Sequence, residues 1–284
     1  MKSEKKYFKN KNTKNSAIAE NLVFVRTKKA LGQNFLKSEP ALRKIIEAGE
    51  IKSDDVILEI GPGKGKLTEK LLEKAGLVIA VEKDRELFEF LKIKFKKEIK
   101  ANTLILVCGD ILNFNTNAYS LKPSAYKVIA NIPYNITGAI LKKFLTAKNQ
   151  PASMVLMVQH EVAKRILASD KKESILSISV KAYGEPKMIM KVPARYFSPA
   201  PKVDSAIIVI KNISRKIFKE NEVAEDRFWK IVKTGFAHKR KKLSSNLKIL
   251  LKDKDYGGIA FVNSLGNKRA EDLSLLDWIS LAKQ

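Results

Sequence analysis

The chain has 284 residues, 45% of them hydrophobic, enough for one sizeable core and a smaller second one. Its 55 Lys and Arg against 30 Asp and Glu give a net charge of +25, a field suited to polyanions and to binding that weakens with salt. An 18-residue apolar run and a signal-type apolar core are both lacking, which argues against a membrane partner, and the lone Cys108 excludes an internal disulfide. A reducing compartment is expected, with Cys108 buried and inert.

Residues 1 to 24 carry Lys2, Lys5, Lys6, Lys9, Lys11 and Lys14 among polar residues and are expected to form a largely disordered basic arm. The first strand signal is Val56-Ile57-Leu58-Glu59-Ile60, which breaks into Gly61-Pro62-Gly63-Lys64-Gly65 and opens a helical pattern from Lys66 to Ala75. Glycines at such a strand end let the backbone approach a ligand at the carboxyl edge of a parallel sheet. Leu77 to Glu82 reads as a second buried strand ending in a carboxylate, about 20 residues past the glycines, where an acid meets the ribose hydroxyls of an adenosine cofactor. A dinucleotide fingerprint would need glycine at Lys66, and a phosphate loop would need Gly-Lys-Ser/Thr; neither is present.

Thr103 to Cys108 runs into Gly109-Asp110, an acid able to accept from an adenine amine, and Tyr126 to Ala130 delivers Asn131-Ile132-Pro133-Tyr134. Each of these is, taken singly, an ordinary strand end, cap or turn. In order, however, four strand ends supply Gly61, Glu82, Asp110 and Asn131 to one edge. The Asn-Ile-Pro-Tyr turn suits methylation of an exocyclic amine, whose lone pair is delocalised into its ring: acceptors must hold the N–H groups and an aromatic face the base.

Further strand patterns lie at Met154 to Val158, Ile175 to Tyr183 and Val203 to Lys211, the last two with partial alternation that suits an antiparallel edge. From about residue 212 the period is helical, with Phe228-Trp229, Ile231-Val232, Phe236, Leu243, Leu247, Leu250-Leu251, Leu273, Leu276 and Ile279 as its apolar positions. Within it, His238-Lys239-Arg240-Lys241-Lys242 places a cationic block at a helix start, where the macrodipole disfavours it. That cost points to phosphate contact, with Ser244, Ser245 and Asn246 as short polar additions. His160 and His238, the two histidines, are expected on helix surfaces, and no catalytic histidine, metal or covalent intermediate is expected.

These segments resemble the small-subunit ribosomal RNA adenine dimethyltransferases of the KsgA type, within the rRNA adenine N6-methyltransferase family. The resemblance spans about Arg26 to Leu281 and rests on Arg26 to Leu36, the Gly61 loop, Asn131 to Thr137, Val158 to Ala163 and Phe197 to Ala206. It implies an α/β fold: a Rossmann-like class I S-adenosylmethionine-dependent methyltransferase domain with a mostly parallel sheet over residues 25–211, and a small helical RNA-contacting domain over 212–284. It implies S-adenosyl-L-methionine as cofactor, bound by Asn34, Leu36, Gly61, Glu82, Asp110 and Asn131. Glu82 would hold the ribose and Asp110 the adenine amine. The segment holding Asn34 and Leu36 would fold over cofactor and target, although Gln33 to Leu36 also reads as a helix start. Asn131 and the Ile132 carbonyl would accept the two N6 hydrogens, while Phe197 would face Tyr134 across the target adenine. Lys239, Arg240, Lys241 and Lys242 would contact RNA; the N-terminal arm is either a further contact or a solubilising tail.

The implied reaction is dimethylation of two adjacent adenosines in the 3′ hairpin of small-subunit (16S) rRNA, with pre-ribosomal small subunits as partner and a role in their biogenesis. A monomeric protein of the bacterial cytoplasm is expected. The alternatives are a large-subunit enzyme conferring macrolide resistance and a non-catalytic RNA- or DNA-binding assembly or transcription factor. The chain departs from the pattern at His160, where Lys or Arg is common, and in its longer arm.

Overall fold

The computed structural model describes residues 32–248, 250 and 264–283. The arm at 1–24, the Arg26 to Leu31 part of the first motif and Leu251 lie outside the described residues. A two-residue strand β1 (Phe35–Leu36) leads into α1 (Glu39–Gly49), whose Ser38 cap accepts from the Ala41 amide and whose first turn holds Pro40. Strand β2 (Val56–Ile60) is followed by α2 (Lys66–Leu72), β3 (Leu77–Glu82) by α3 (Arg85–Lys94) and α4 (Lys96–Lys100), and β4 (Leu104–Cys108) by β5 (Tyr126–Asn131). Next come α5 (Thr137–Leu145), β6 (Ser153–Gln159), α6 (His160–Leu167), α7 (Ile175–Lys181), β7 (Glu185–Val192), β8 (Phe197–Ser198) and β9 (Ser205–Lys211). Helices α8 (Lys216–Glu220), α9 (Glu225–Gly235), α10 (Leu243–Leu247) and α11 (Leu275–Lys283) follow.

Among the described residues the main sheet runs β4-β3-β2-β5-β6-β9-β7. Its first five strands are parallel, and β9 is antiparallel to both neighbours. Chain order reverses between β2 and β5, which opens a crevice at their carboxyl ends. The strands read as continuous apolar runs because both faces are covered. One registered row, Ile79, Leu58, Val128 and Met154, enters one core cluster; the pair Val78 and Ile57 just before it and the pair Ile129 and Val155 just after it enter the other. Phe228, Val232, Trp278 and Leu281 from the C-terminal helices join the first cluster, so these helices are built on the same apolar surface as the sheet.

Several expectations are corrected. Ile175 to Tyr183 is not a strand: Ser174 Oγ accepts from the Ser177 amide at 3.1 Å while Ser177 Oγ accepts from the Ser174 amide at 2.7 Å, a reciprocal cap that starts α7 despite its β-branched residues. The antiparallel edge is instead β7, which Pro186 and the exposed Lys187 and Lys191 disguise in the sequence and protect in the fold. Strand β9 lies inside the sheet and is buried along six of its seven residues. Cys108 is exposed, because β4 is the opposite edge and neighbouring Ile105 is likewise uncovered. Leu276 is 65% exposed; Trp278, Ile279 and Leu281 form the buried face of α11. His238 lies in the loop between α9 and α10 rather than on a helix, whereas His160 opens α6. Gln33 to Leu36 does not start a helix: β1 pairs antiparallel with β8, Phe35 opposite Ser198 and Leu36 opposite Phe197.

Candidate active site

The carboxyl ends of β2, β3, β4 and β5 border one cleft of about 590 Å³. Asn34, Leu36, Gly61, Glu82, Asp110, Asn131, Ile132 and Tyr134 all line it. Strand β2 is followed directly by Gly61, which turns with φ +63° and whose amide donates to the Val81 carbonyl at 2.9 Å. A Cβ on Gly61 would meet only Pro133 Cδ, at a van der Waals distance of 4.0 Å, whereas one on Gly63 would strike the Phe35 ring at 2.9 Å. The loop is therefore bare toward the cleft and tight beneath β1.

Glu82 ends β3 with both oxygens engaged. Oε1 accepts from the Asp84 amide at 2.8 Å and Oε2 from the Gly63 amide at 3.0 Å, so this acid ties the glycine loop to the start of α3. Burial raises its pKa, against the pull of these two amides. Asp110 follows β4, accepts from Lys83 Nζ at 2.8 Å and from the Leu112 amide at 2.9 Å, and is held below the ordinary carboxylate range chiefly by Lys83. Asn131 ends β5 and its Nδ2 donates to the Asn34 carbonyl at 3.1 Å, which fixes the amide and leaves Oδ1 as its acceptor. No hydrogen bond among the described residues is made to Oδ1 or to the Ile132 carbonyl. Tyr134 stands in the turn after Pro133, and its hydroxyl meets Ser205 Oγ at 2.5 Å.

Phe197 is not brought to this cleft. It is 2% exposed, in the apolar cluster that holds Leu36, Leu42 and Ile207, because pairing of β8 with β1 turns its ring inward; Ser198 and Pro199 line the cleft instead. Lys239, Arg240, Lys241 and Lys242 are exposed in the loop before α10. Asn246 pins this loop, its Nδ2 donating to the carbonyls of Gly235 at 2.6 Å and His238 at 3.1 Å. Beside it Lys233, His238, Lys241 and Ser245 border a second concavity.

No local motif points to Glu59, yet it lines the cleft at 1% exposure with Oε2 unpartnered among the described residues. Burial, with the Glu82 charge adding to it, pushes its pKa up to about 8. A carboxylate inside an otherwise apolar strand was the available signal.

A parallel sheet whose chain order reverses beside a bare glycine loop, with acids ending the next two strands, defines a Rossmann-like class I methyltransferase. A family model described as ribosomal RNA adenine dimethylase matches residues 25–284. A ribosomal RNA small subunit methyltransferase A of Dehalococcoides mccartyi is 41% identical over 90% of this chain and 88% of its own. The crystal structure of a dimethyladenosine transferase from Plasmodium falciparum has a TM-score of 0.72 and 28% identity, covering 87% of this chain and 95% of its own. That of the 23S rRNA methyltransferase ErmE has a TM-score of 0.65 and 24% identity over 88% of this chain and 100% of its own, a likeness of fold. The chain belongs to the ribosomal RNA adenine dimethylase family, and its methyl donor is S-adenosylmethionine. The residues present fit that group: a bare glycine loop, a buried acid at β3, a second acid beyond β4 and, among the described residues, an unpartnered buried oxygen on Glu59.

Proposed function

We propose that this protein transfers methyl groups to N6 of two adjacent adenosines in the 3′-terminal hairpin of small-subunit rRNA, giving N6,N6-dimethyladenosine in pre-ribosomal particles. The observation that carries the reading is the latched amide of Asn131, which keeps its oxygen as an acceptor at the cleft beside the Ile132 carbonyl.

Asn34, Leu36, Gly61, Glu82, Asp110 and Asn131 would hold the cofactor, whose sulfonium supplies an electrophilic methyl group. Asn131 Oδ1 and the Ile132 carbonyl accept the two N6 hydrogens and so turn the amine's lone pair out of conjugation. Tyr134 offers its ring to the base, a stacking contact worth about 1–3 kcal/mol that helps offset the cost of unstacking the adenosine. As the N–C bond forms the amine becomes cationic and acidic; the same acceptors stabilise its N–H groups until one proton per transfer passes to solvent, so positioning and electrostatics carry the rate. Phe197 can complete a sandwich only by leaving its apolar cluster. Lys239, Arg240, Lys241 and Lys242 neutralise RNA phosphates away from the reacting atoms.

No described helix is long and apolar enough to cross a membrane. Action on ribosomal particles in the bacterial cytoplasm as a monomer accords with this reading. The large-subunit alternative is less favoured, since the enzyme of that kind among the similar structures resembles this chain at the level of fold. The test is transfer of labelled methyl to undermethylated small-subunit particles with large-subunit RNA in parallel. Label confined to adenosines of the small-subunit 3′ hairpin supports the reading; label in large-subunit RNA overturns it.

A further inference from the structure

The contact between Tyr134 and Ser205 has no place in the mechanism above. Stacking needs only a ring, and phenylalanine would serve; a half-buried phenol hydroxyl costs desolvation unless it is paired. Here it is paired with a residue whose own freedom is very small. Ser205 is 0% exposed and opens β9 between two strands, opposite Gln159 of β6 and Val192 of β7. The residue before it is fixed as well. Asp204 accepts from the Ala194 amide through Oδ1 at 3.0 Å, receives the His160 amide on its carbonyl at 2.9 Å and faces Lys191 Nζ at 2.9 Å. At the other end Pro133 sets the backbone of the turn, and the Tyr134 carbonyl accepts from Thr137 Oγ1 at 3.0 Å. The ring is thus held at its backbone by the turn and at its hydroxyl by the sheet.

We infer that Ser205 is a positioning residue for base recognition: by holding the Tyr134 hydroxyl it fixes the place and axis of the ring against which the target adenine stacks before RNA arrives. The inference rests on Tyr134 being the stacking ring of the proposed reaction. It gives the Val203-Asp204-Ser205 end of the Phe197 motif a task of its own, anchoring Ser205, separate from any movement of Phe197. RNA affinity is carried mainly by phosphate contacts away from this ring, so losing the anchor falls on base stacking and transfer rate more than on RNA affinity.

The test is a double-mutant cycle of Ser205→Ala and Tyr134→Phe, read by single-turnover methyl transfer to small-subunit particles. A second readout is the short-lifetime, stacked fraction of emission from an RNA hairpin carrying 2-aminopurine at the target position. Because the two hydroxyls act as one unit, each single variant and the double variant should lose the same roughly three- to tenfold in rate. All three should lower the stacked fraction alike, with wild-type RNA affinity retained. Losses that multiply in the double variant, or a Ser205→Ala protein with unaltered rate and stacked fraction, would overturn the inference. A Ser205→Ala protein that melts earlier but stacks and transfers normally would assign Ser205 to stability alone and overturn it too. If the wild-type protein neither transfers methyl nor alters 2-aminopurine emission, the failure belongs to the proposed reaction instead.

Discussion

The side chain of Asn131 and the main chain of Asn34 are joined by a 3.1 Å hydrogen bond across the mouth of the cleft. The donor comes from the end of β5 and the acceptor from the segment entering β1, so one contact both orients the amide and holds that segment down. Asn131→Asp replaces the donor with a second acceptor facing the Asn34 carbonyl. The variant should fold, bind cofactor more weakly and transfer methyl more slowly, with each loss on the order of tenfold. Calorimetric titration with S-adenosylmethionine and single-turnover transfer check this; unchanged cofactor affinity would show that the latch is idle.

Glu82 satisfies the Gly63 and Asp84 amides from a buried position. Glu82→Gln can accept with only one of its two terminal atoms, leaving one amide without a partner at a cost of about 1–3 kcal/mol. Thermal melting without ligand should show that loss, and titration should show weaker cofactor binding. A variant that melts like wild type would contradict the bridging role.

Glu59 carries a pH signature. Its pKa, lifted by burial from an ordinary 4.5 to about 8, means that the folded chain holds the proton more tightly than the unfolded chain. Its contribution to stability is therefore complete below the unfolded value and is lost as pH rises through the folded one. Glu59→Gln is neutral throughout and escapes that loss. Melting temperatures of the two ligand-free proteins should diverge in favour of the variant between about pH 5 and about pH 9. Parallel profiles would mean that Glu59 is ionised in the fold.

The exposed block Lys239, Arg240, Lys241 and Lys242 should act through phosphate neutralisation. Replacing all four with alanine should weaken RNA binding and lower the slope of log affinity against log salt by about 0.7–0.9 for each phosphate no longer neutralised, with little change in melting temperature. An unchanged slope would remove the block from the interface.

The cleft was legible in the sequence because its parts are local. Glycines after an apolar run, acids at two further strand ends and the Asn131 to Tyr134 turn each announce themselves within a few residues, and parallel topology aligns them without further instruction. What was not legible depends on partners distant in sequence. Phe197 is turned inward by its pairing with Leu36, and Ser205 gains its role only when Tyr134, 71 residues away, reaches it. Ile175 to Tyr183 misled because β-branched alternation outweighed a two-serine cap, and β7 escaped because its edge position calls for the Pro and Lys residues that hide a strand. The exposure of Cys108 follows from strand order, which no local pattern carries.

The most direct measurement is mass spectrometry of nuclease-digested small-subunit RNA after incubation of undermethylated particles with wild-type protein and with Asn131→Ala. The wild type should yield N6,N6-dimethyladenosine at both adjacent adenosines of the 3′ hairpin. Asn131→Ala should still bind the particles yet transfer methyl about 10²–10³ times more slowly. Near-normal dimethylation by Asn131→Ala, or wild-type product at any other site, would contradict the account.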